Sequence, residues 1–370
     1  MSQRLKFDDS ARPSELWYTR CPVPTATSIA IAKGWLNEAF ADLGIEVRSL
    51  RSSASRDVRQ SHFDHSQRNS FRQGGNAPPI WSRSAGADTV VIGLIWLPQY
   101  QSILSLGSSG IRLLVDLRGK RLAIPKRTGE KIDFWRASAL QGYEQSLATV
   151  GLSLADVELV ELPVNEPFIH DKGVSQDGPL FGARESARAG AAEAFALIRG
   201  DVDAIYQYGA GGPALEAFLD AHVVFDIRRH STRSVAINNG TPNVLTVSGS
   251  LAREHPTLVA TYLAQVLRAA YWARTHREEA FEIIANEVSS TVEWTRQAFD
   301  ASVIDNLLPS LDTELIDALK VRKHFLLEHG FLERDFNVDD WIDREPLRRA
   351  KKLLESDRAT RLLAEAALTY

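Results

Sequence analysis

A single cysteine, Cys21, occurs in the 370 residues, and it is placed where a thiol can react. It follows a short predicted strand, Leu16-Trp17-Tyr18-Thr19, and is followed by Pro22-Val23-Pro24. The apolar and small residues from Thr25 to Leu43 then predict a helix that ends before Gly44. A group in that turn faces the helix's unpaired N–H groups and its positive dipole end, a setting that favours a thiolate and suits an anionic head group. Nucleophile and anion pocket can therefore coincide. The plainer reading is a small buried hydrophobe, the commonest state of a lone cysteine. No internal disulfide is possible, and Met1 is the only methionine.

The second polar concentration runs from His62-Phe63-Asp64-His65 through Arg72-Gln73-Gly74-Gly75 to Pro78-Pro79 and reads as an ordered loop. A guanidinium at Arg72 can hold an oxyanion through two parallel N–H···O bonds, and Gly74-Gly75 lets backbone amides approach closely. Such a loop suits a sulfinate, sulfonate or carboxylate; the alternative is a solvated surface loop. His62 and His65 sharing a metal is a weaker idea than hydrogen-bonding histidines. There is no cysteine pair, His-Glu-x-x-His, Gly-x-Ser-x-Gly, Walker loop or Rossmann glycine fingerprint, so no metal, nucleotide or other cofactor is expected.

The elements that must position these residues alternate. Strands are predicted at Ile45–Leu50, Thr89–Trp96, Arg121–Pro125, Val157–Leu162, Val202–Tyr206 and Val223–Asp226, with Ser52–Gln60 as a loop. That pattern predicts an α/β fold with parallel sheets. After Val247, helices are predicted at 255–274, 278–285, 292–303, 311–329 and 347–367, giving a helical C-terminal third. The chain's length favours two bodies: lobe 1 from residues 1–115 and 240–370, and lobe 2 from 116–239, with the ligand between them. Tyr18, Trp135 and Tyr206 or Tyr208 are candidate aromatic walls. With 44% hydrophobic residues, 24% charged residues and a net charge of -4, no nucleic-acid partner is expected. No apolar run reaches membrane-spanning length and Met1–Asp9 has no export pattern, so a cytoplasmic monomer without a membrane partner is expected.

Asp116-Leu117-Arg118-Gly119-Lys120-Arg121-Leu122-Ala123-Ile124-Pro125 and Gly200-Asp201-Val202-Asp203-Ala204-Ile205 resemble second-lobe signatures of sulfonate- and taurine-type solute-binding proteins. This implies the two-lobed type II periplasmic-binding-protein fold. Tyr18-Thr19-Arg20-Cys21-Pro22-Val23-Pro24, taken with His62-Phe63, Arg72-Gln73-Gly74-Gly75 and Pro78-Pro79, resembles the 2'-hydroxybiphenyl-2-sulfinate desulfinase family. The resemblance implies a small aromatic sulfinate as substrate, carbon–sulfur hydrolysis with release of sulfite, Cys21 as catalytic residue, His62 as its assistant and Arg72 as the sulfinate holder. It further implies Gly75 as a backbone donor, Gly74, Thr19 and Tyr18 around the site, and Trp135 stacked on the substrate. Two routes are open, thiolate attack on sulfur or ring protonation by the S–H group. Thr19 stands where the family has serine, and Asp64–Phe71 is more charged. The rival is a non-catalytic binding protein for a sulfonate or similar anion; the cysteine-rich iron motif of thiamine-pyrimidine synthases is absent.

Overall fold

The computed structural model describes residues 12–169 and 190–367, with side chains in the last helix to residue 356; Met1–Asp9, read above for export, lies outside the described residues. Ten strands are named in chain order: β1 Glu15–Arg20, β2 Glu46–Ser49, β3 Ser70–Gly74, β4 Thr89–Ile95, β5 Gln101–Leu106, β6 Arg121–Lys126, β7 Glu158–Pro163, β8 Ile205–Tyr208, β9 Ala221–Asp226 and β10 Asn243–Ser248. One sheet has the order β2-β1-β3-β10-β4. Within it β1 runs parallel to β2 and β3, and β10 runs antiparallel to β3 and β4. The second body holds β8-β5-β9, all antiparallel pairs, and the parallel pair β6-β7, joined by a bridge from Leu122 to Ala204.

The sheets are therefore mixed, where purely parallel ones were expected. β3, β5 and β10 were absent from the predicted strands because polar residues occupy their buried positions. All five residues of β3, Ser-Phe-Arg-Gln-Gly, are buried, so no in-out alternation survives in the sequence. In β5, Gln101 donates to the Ala236 carbonyl and Ser105 to the Ile111 carbonyl, which satisfies polar groups that would otherwise oppose burial. Because β5 pairs with β8 and β9, the chain crosses to the second body between Ile95 and Gln101, earlier than the expected crossing near residue 116. The return falls between Asp226 and Asn243.

The single helix expected over Thr25–Leu43 is two, α1 Ala26–Ala32 and α2 Trp35–Ala41, broken at Gly34, which sits at φ 73. The expected loop Ser52–Gln60 instead opens α3, Arg56–Asp64, whose Ser55 side chain caps the Val58 amide. The first turn of α3 is exposed, which is why its composition reads as loop. After β3 comes α4, Ala77–Ser84, with prolines in its first turn. In the second body α5 spans Phe134–Ala148. The helical C-terminal third follows the expectation, with helices at Pro256–Thr275, Arg277–Glu287, Val292–Phe299, Thr313–Glu328 and Glu345–Ala367. Among the described residues no helix is long and apolar enough to cross a membrane.

The larger core joins the first sheet to these C-terminal helices, with Phe71 stacked on Tyr262 at 3.7 Å. Two smaller cores fill the second body. The end of β1 is pinned by a buried ion pair: Arg20 Nε and Nη2 donate to the Glu287 carboxylate at 2.6 and 3.0 Å. Both side chains are only 5% exposed, so breaking the pair strands a buried charge. Glu287→Gln is expected to cost about 3 kcal/mol of unfolding free energy. Urea denaturation measures it; a loss below about 1 kcal/mol would show that water reaches the pair.

Candidate active site

Cys21 lies one residue beyond β1, where its amide continues the ladder by donating to the Gln73 carbonyl at 3.1 Å. Strand alternation sends Thr19 and Cys21 to the face opposite Tyr18. On that face the end of α3 brings His62, and β3 brings Arg72. The Cys21 Sγ is 3.4 Å from His62 Nε2 and accepts from Arg72 Nη2 at 3.6 Å. Thr19 Oγ1 is 2.8 Å from His62 Nδ1, so the imidazole is held at both nitrogens. Arg72 is held in turn: its Nε donates to the His62 carbonyl and its Nη1 to the Gly75 carbonyl, both at 2.9 Å. Gly74 must be glycine here, because a Cβ would stand 2.3 Å from the Cys21 sulfur.

The expected contact between Cys21 and a helix N-terminus is replaced by these side chains. α1 begins only after Thr25, and the Thr25 hydroxyl accepts from the Ser28 amide. Burial is the main force on the neighbouring charges. The His62 pKa falls well below the ordinary histidine value because the ring is desolvated, and Arg72 and then His65 add to the shift. Desolvation, with Arg72 behind it, takes His65 down to about 3. The Arg72 pKa is lowered by burial, and Cys21 opposes that shift. The corner is thus one cation beside a neutral imidazole and the Cys21 sulfur.

The corner opens into a cavity of about 310 Å³ between the two bodies, lined by Cys21, His62, Arg72, Gly75 and Trp135 among others. Trp135 packs against Tyr208, ring centroids 4.7 Å apart, and both line the cavity. Tyr18 does not: it is buried in the core on the other side of β1, under the Arg20 guanidinium. Tyr206 is likewise buried, bonded to Gln101 and Asn238. Thr19 and Gly74 sit behind the thiol and shape it without lining the cavity. Gly75 was expected to donate through its backbone; the bond recorded for it is through its carbonyl, from Arg72. A shared metal for His62 and His65 is not supported, since His65 faces Ser82 and Thr246 and both His62 nitrogens face Thr19 and Cys21. Among the described residues no group of three or more potential metal ligands occurs.

Sequence reasoning missed Gln99, Arg127, Phe168, Gln207 and Asn239, all of which line the cavity. Arg127 had a usable signal, since it lies two residues past the predicted strand Arg121–Pro125, at the carboxyl end where α/β folds place ligands. The others are loop or strand-end residues whose approach depends on the packing of the two bodies.

No family model matches the chain. It is 28% identical over 365 residues to the 2'-hydroxybiphenyl-2-sulfinate desulfinase of Rhodococcus erythropolis, covering 91% of this chain and 93% of the relative. It is 22% identical to a putative aliphatic sulfonates-binding protein of Bacillus subtilis, over 87% of this chain and 83% of the relative. Its fold matches the crystal structure of a cysteine-to-serine mutant of the desulfurization enzyme DSZB in complex with biphenyl-2-sulfinic acid. That match has TM-score 0.70 and 25% identity, over 91% of this chain and 99% of the other. The alkanesulfonate-binding protein SsuA of Xanthomonas axonopodis pv. citri, bound to MOPS, shares the fold at TM-score 0.62 and 17% identity, over 90% of this chain and 100% of that one. The two-lobed periplasmic-binding-protein-like α/β fold is thereby shown.

Two buried histidines with depressed pKa values bind protons more readily in the unfolded chain than in the folded one. Stability should therefore be full above about pH 6.5, the ordinary histidine value, and decline as pH falls toward about 3, the folded value for His65. Thermal melts between about pH 7 and about pH 4 should show Tm falling, and a His65→Asn variant should show a shallower fall. Parallel profiles for the two proteins would mean that other groups dominate.

Proposed function

We propose that this protein is a cysteine-dependent desulfinase that hydrolyses the carbon–sulfur bond of an aryl sulfinate. The observation that carries the reading is the convergence of His62 Nε2 and Arg72 Nη2 on the Cys21 sulfur at one corner of a largely apolar cavity. Support comes from the relatedness over nearly the whole chain to a protein named 2'-hydroxybiphenyl-2-sulfinate desulfinase. A solute-binding protein needs an anion site, but it has no use for a thiol held between an imidazole and a guanidinium.

Arg72 and the backbone around Gly75 fix the sulfinate oxygens, and orientation in a closed cleft supplies much of the acceleration. Of the two routes, the electrostatics favour ring protonation. A buried imidazole beside the Arg72 cation is a poor base, which leaves the attack route without a group to draw the proton from Cys21. The proton passes from Sγ to the carbon bearing sulfur, the carbon–sulfur bond breaks, and sulfur dioxide leaves. Water converts sulfur dioxide to bisulfite, and the proton released restores the thiol. Arg72 stabilises the transient thiolate, and Thr19 keeps His62 oriented toward it.

The test is sulfite release from biphenyl-2-sulfinate and 2'-hydroxybiphenyl-2-sulfinate by wild type and Cys21→Ser. Wild type should release sulfite stoichiometrically with the arene, and Cys21→Ser should lose about a thousandfold or more in kcat. Sulfite release that survives in Cys21→Ser would remove the thiol from the mechanism. Tight binding of intact sulfinate by wild type, with no release, would leave a binding protein.

A further inference from the structure

The wall of the cavity contributed by the second body carries a cation with two unused hydrogen-bond donors. Arg127 follows β6, and its guanidinium lies over the rings of Trp135 and Phe168, 5.6 and 5.0 Å from their centroids. Aromatic rings engage the face of a guanidinium and leave its N–H edge free to bond. Here Nε and Nη1 are buried and have no hydrogen-bond partner. Carboxylates that act on Arg127 are committed elsewhere: Asp133 accepts from the Arg127 and Arg136 amides, Glu130 from the Phe168 amide, and the buried Glu193 from its own backbone amide. Two further residues lining the same cavity, Gln99 and Gln207, each carry a buried Nε2 without a partner. Gln99 and Gln207 are 2% and 4% exposed.

A buried donor without an acceptor costs roughly 1–3 kcal/mol, so several on residues that line one cavity mark a place where a ligand supplies acceptors. The charges of the lining agree. Among its described residues the cations Arg72 and Arg127 face one carboxylate, Glu166, which is exposed. A sulfinate at the Cys21 corner answers Arg72 alone. We propose that the substrate is dianionic: an aryl sulfinate that carries a second oxyanion, a carboxylate in its simplest form, received by Arg127 with the Gln99 and Gln207 amides. Nε and Nη1 lie on opposite sides of the guanidinium, so each donates singly and a carboxylate is received by one of them together with a glutamine amide, while Trp135 and Tyr208 flank the ring system between the two charges. This rests on the sulfinate reading of the Cys21 corner.

The test is calorimetric titration of Cys21→Ser, which should hold uncleaved ligand, with biphenyl-2-sulfinate and 2'-carboxybiphenyl-2-sulfinate, repeated with Arg127→Met and Arg127→Lys added. The carboxylated ligand should bind about tenfold or more tighter than its parent. Arg127→Met should bring the ratio to about one, and Arg127→Lys, which keeps the charge without the planar, ring-stacked donor group, should leave an intermediate ratio. Equal binding of the two ligands, or a preference unchanged by Arg127→Met, would overturn the proposal while leaving the sulfinate reading intact. Binding of neither ligand would overturn both.

Discussion

A buried guanidinium with three fixed acceptors organises the site. Arg72 is 2% exposed, and its N–H groups reach the carbonyl of His62, the carbonyl of Gly75 and the sulfur of Cys21. One planar group therefore ties together the end of α3, the turn into α4 and the residue after β1. The geometry follows from the sheet: β1 and β3 are parallel neighbours with Thr19 opposite Arg72, which brings the chain beyond each strand to the same edge. Parallel pairing places the carboxyl ends of strands together, and that edge is where such folds bind ligands. Among the described residues no carboxylate lies against this cation, so its charge is answered by carbonyl dipoles, by the Cys21 sulfur and, in the proposed function, by the substrate.

The rest of the site adapts to that cation. His62 is kept neutral by burial and by Arg72, and Thr19 fixes its ring from behind. The methyl group that threonine adds over serine is accommodated, since Thr19 keeps its hydroxyl on Nδ1. Gly74 leaves the space that the sulfur occupies, and Gly75 clears Asn239, whose carbonyl and side-chain oxygen accept the Asn76 and Ala77 amides at the start of α4. Further out, Arg322 is fully buried and donates to Asn76, to the Ala137 carbonyl and to Gln141, coupling the first body to α5 of the second. The relative placement of the two walls of the cavity is thus held by hydrogen bonds as well as by packing.

Much of this was legible in the sequence. Cys21, His62, Arg72, Gly75 and Trp135 were named from residue type, local pattern and family resemblance, and the structure brings all five to one cavity. Tyr18 was misplaced because a sequence segment next to a reactive residue does not state which face of the strand each side chain takes; alternation puts it in the core. Strand β3 was hidden for a related reason. Its Arg72 and Gln73 are buried polar residues, and burial of that kind is decided by partners distant in sequence, such as Thr246 on β10. Helix α3 was hidden by its exposed polar first turn, and the early crossing at β5 by strands that pair only across the second body. Arg127 was overlooked because its unused donors become visible only once the cavity around them is built.

In the proposed function the forked geometry of Arg72, and not its positive charge alone, makes the thiol corner catalytic. The most direct measurement is kcat for sulfite release by Arg72→Lys, with circular dichroism confirming that the fold is kept. A lysine retains the charge but cannot reach the His62 carbonyl, the Gly75 carbonyl and the sulfur at once. The account predicts a fall in kcat of about a hundredfold or more. A kcat within about threefold of wild type would contradict it and reduce Arg72 to a source of charge.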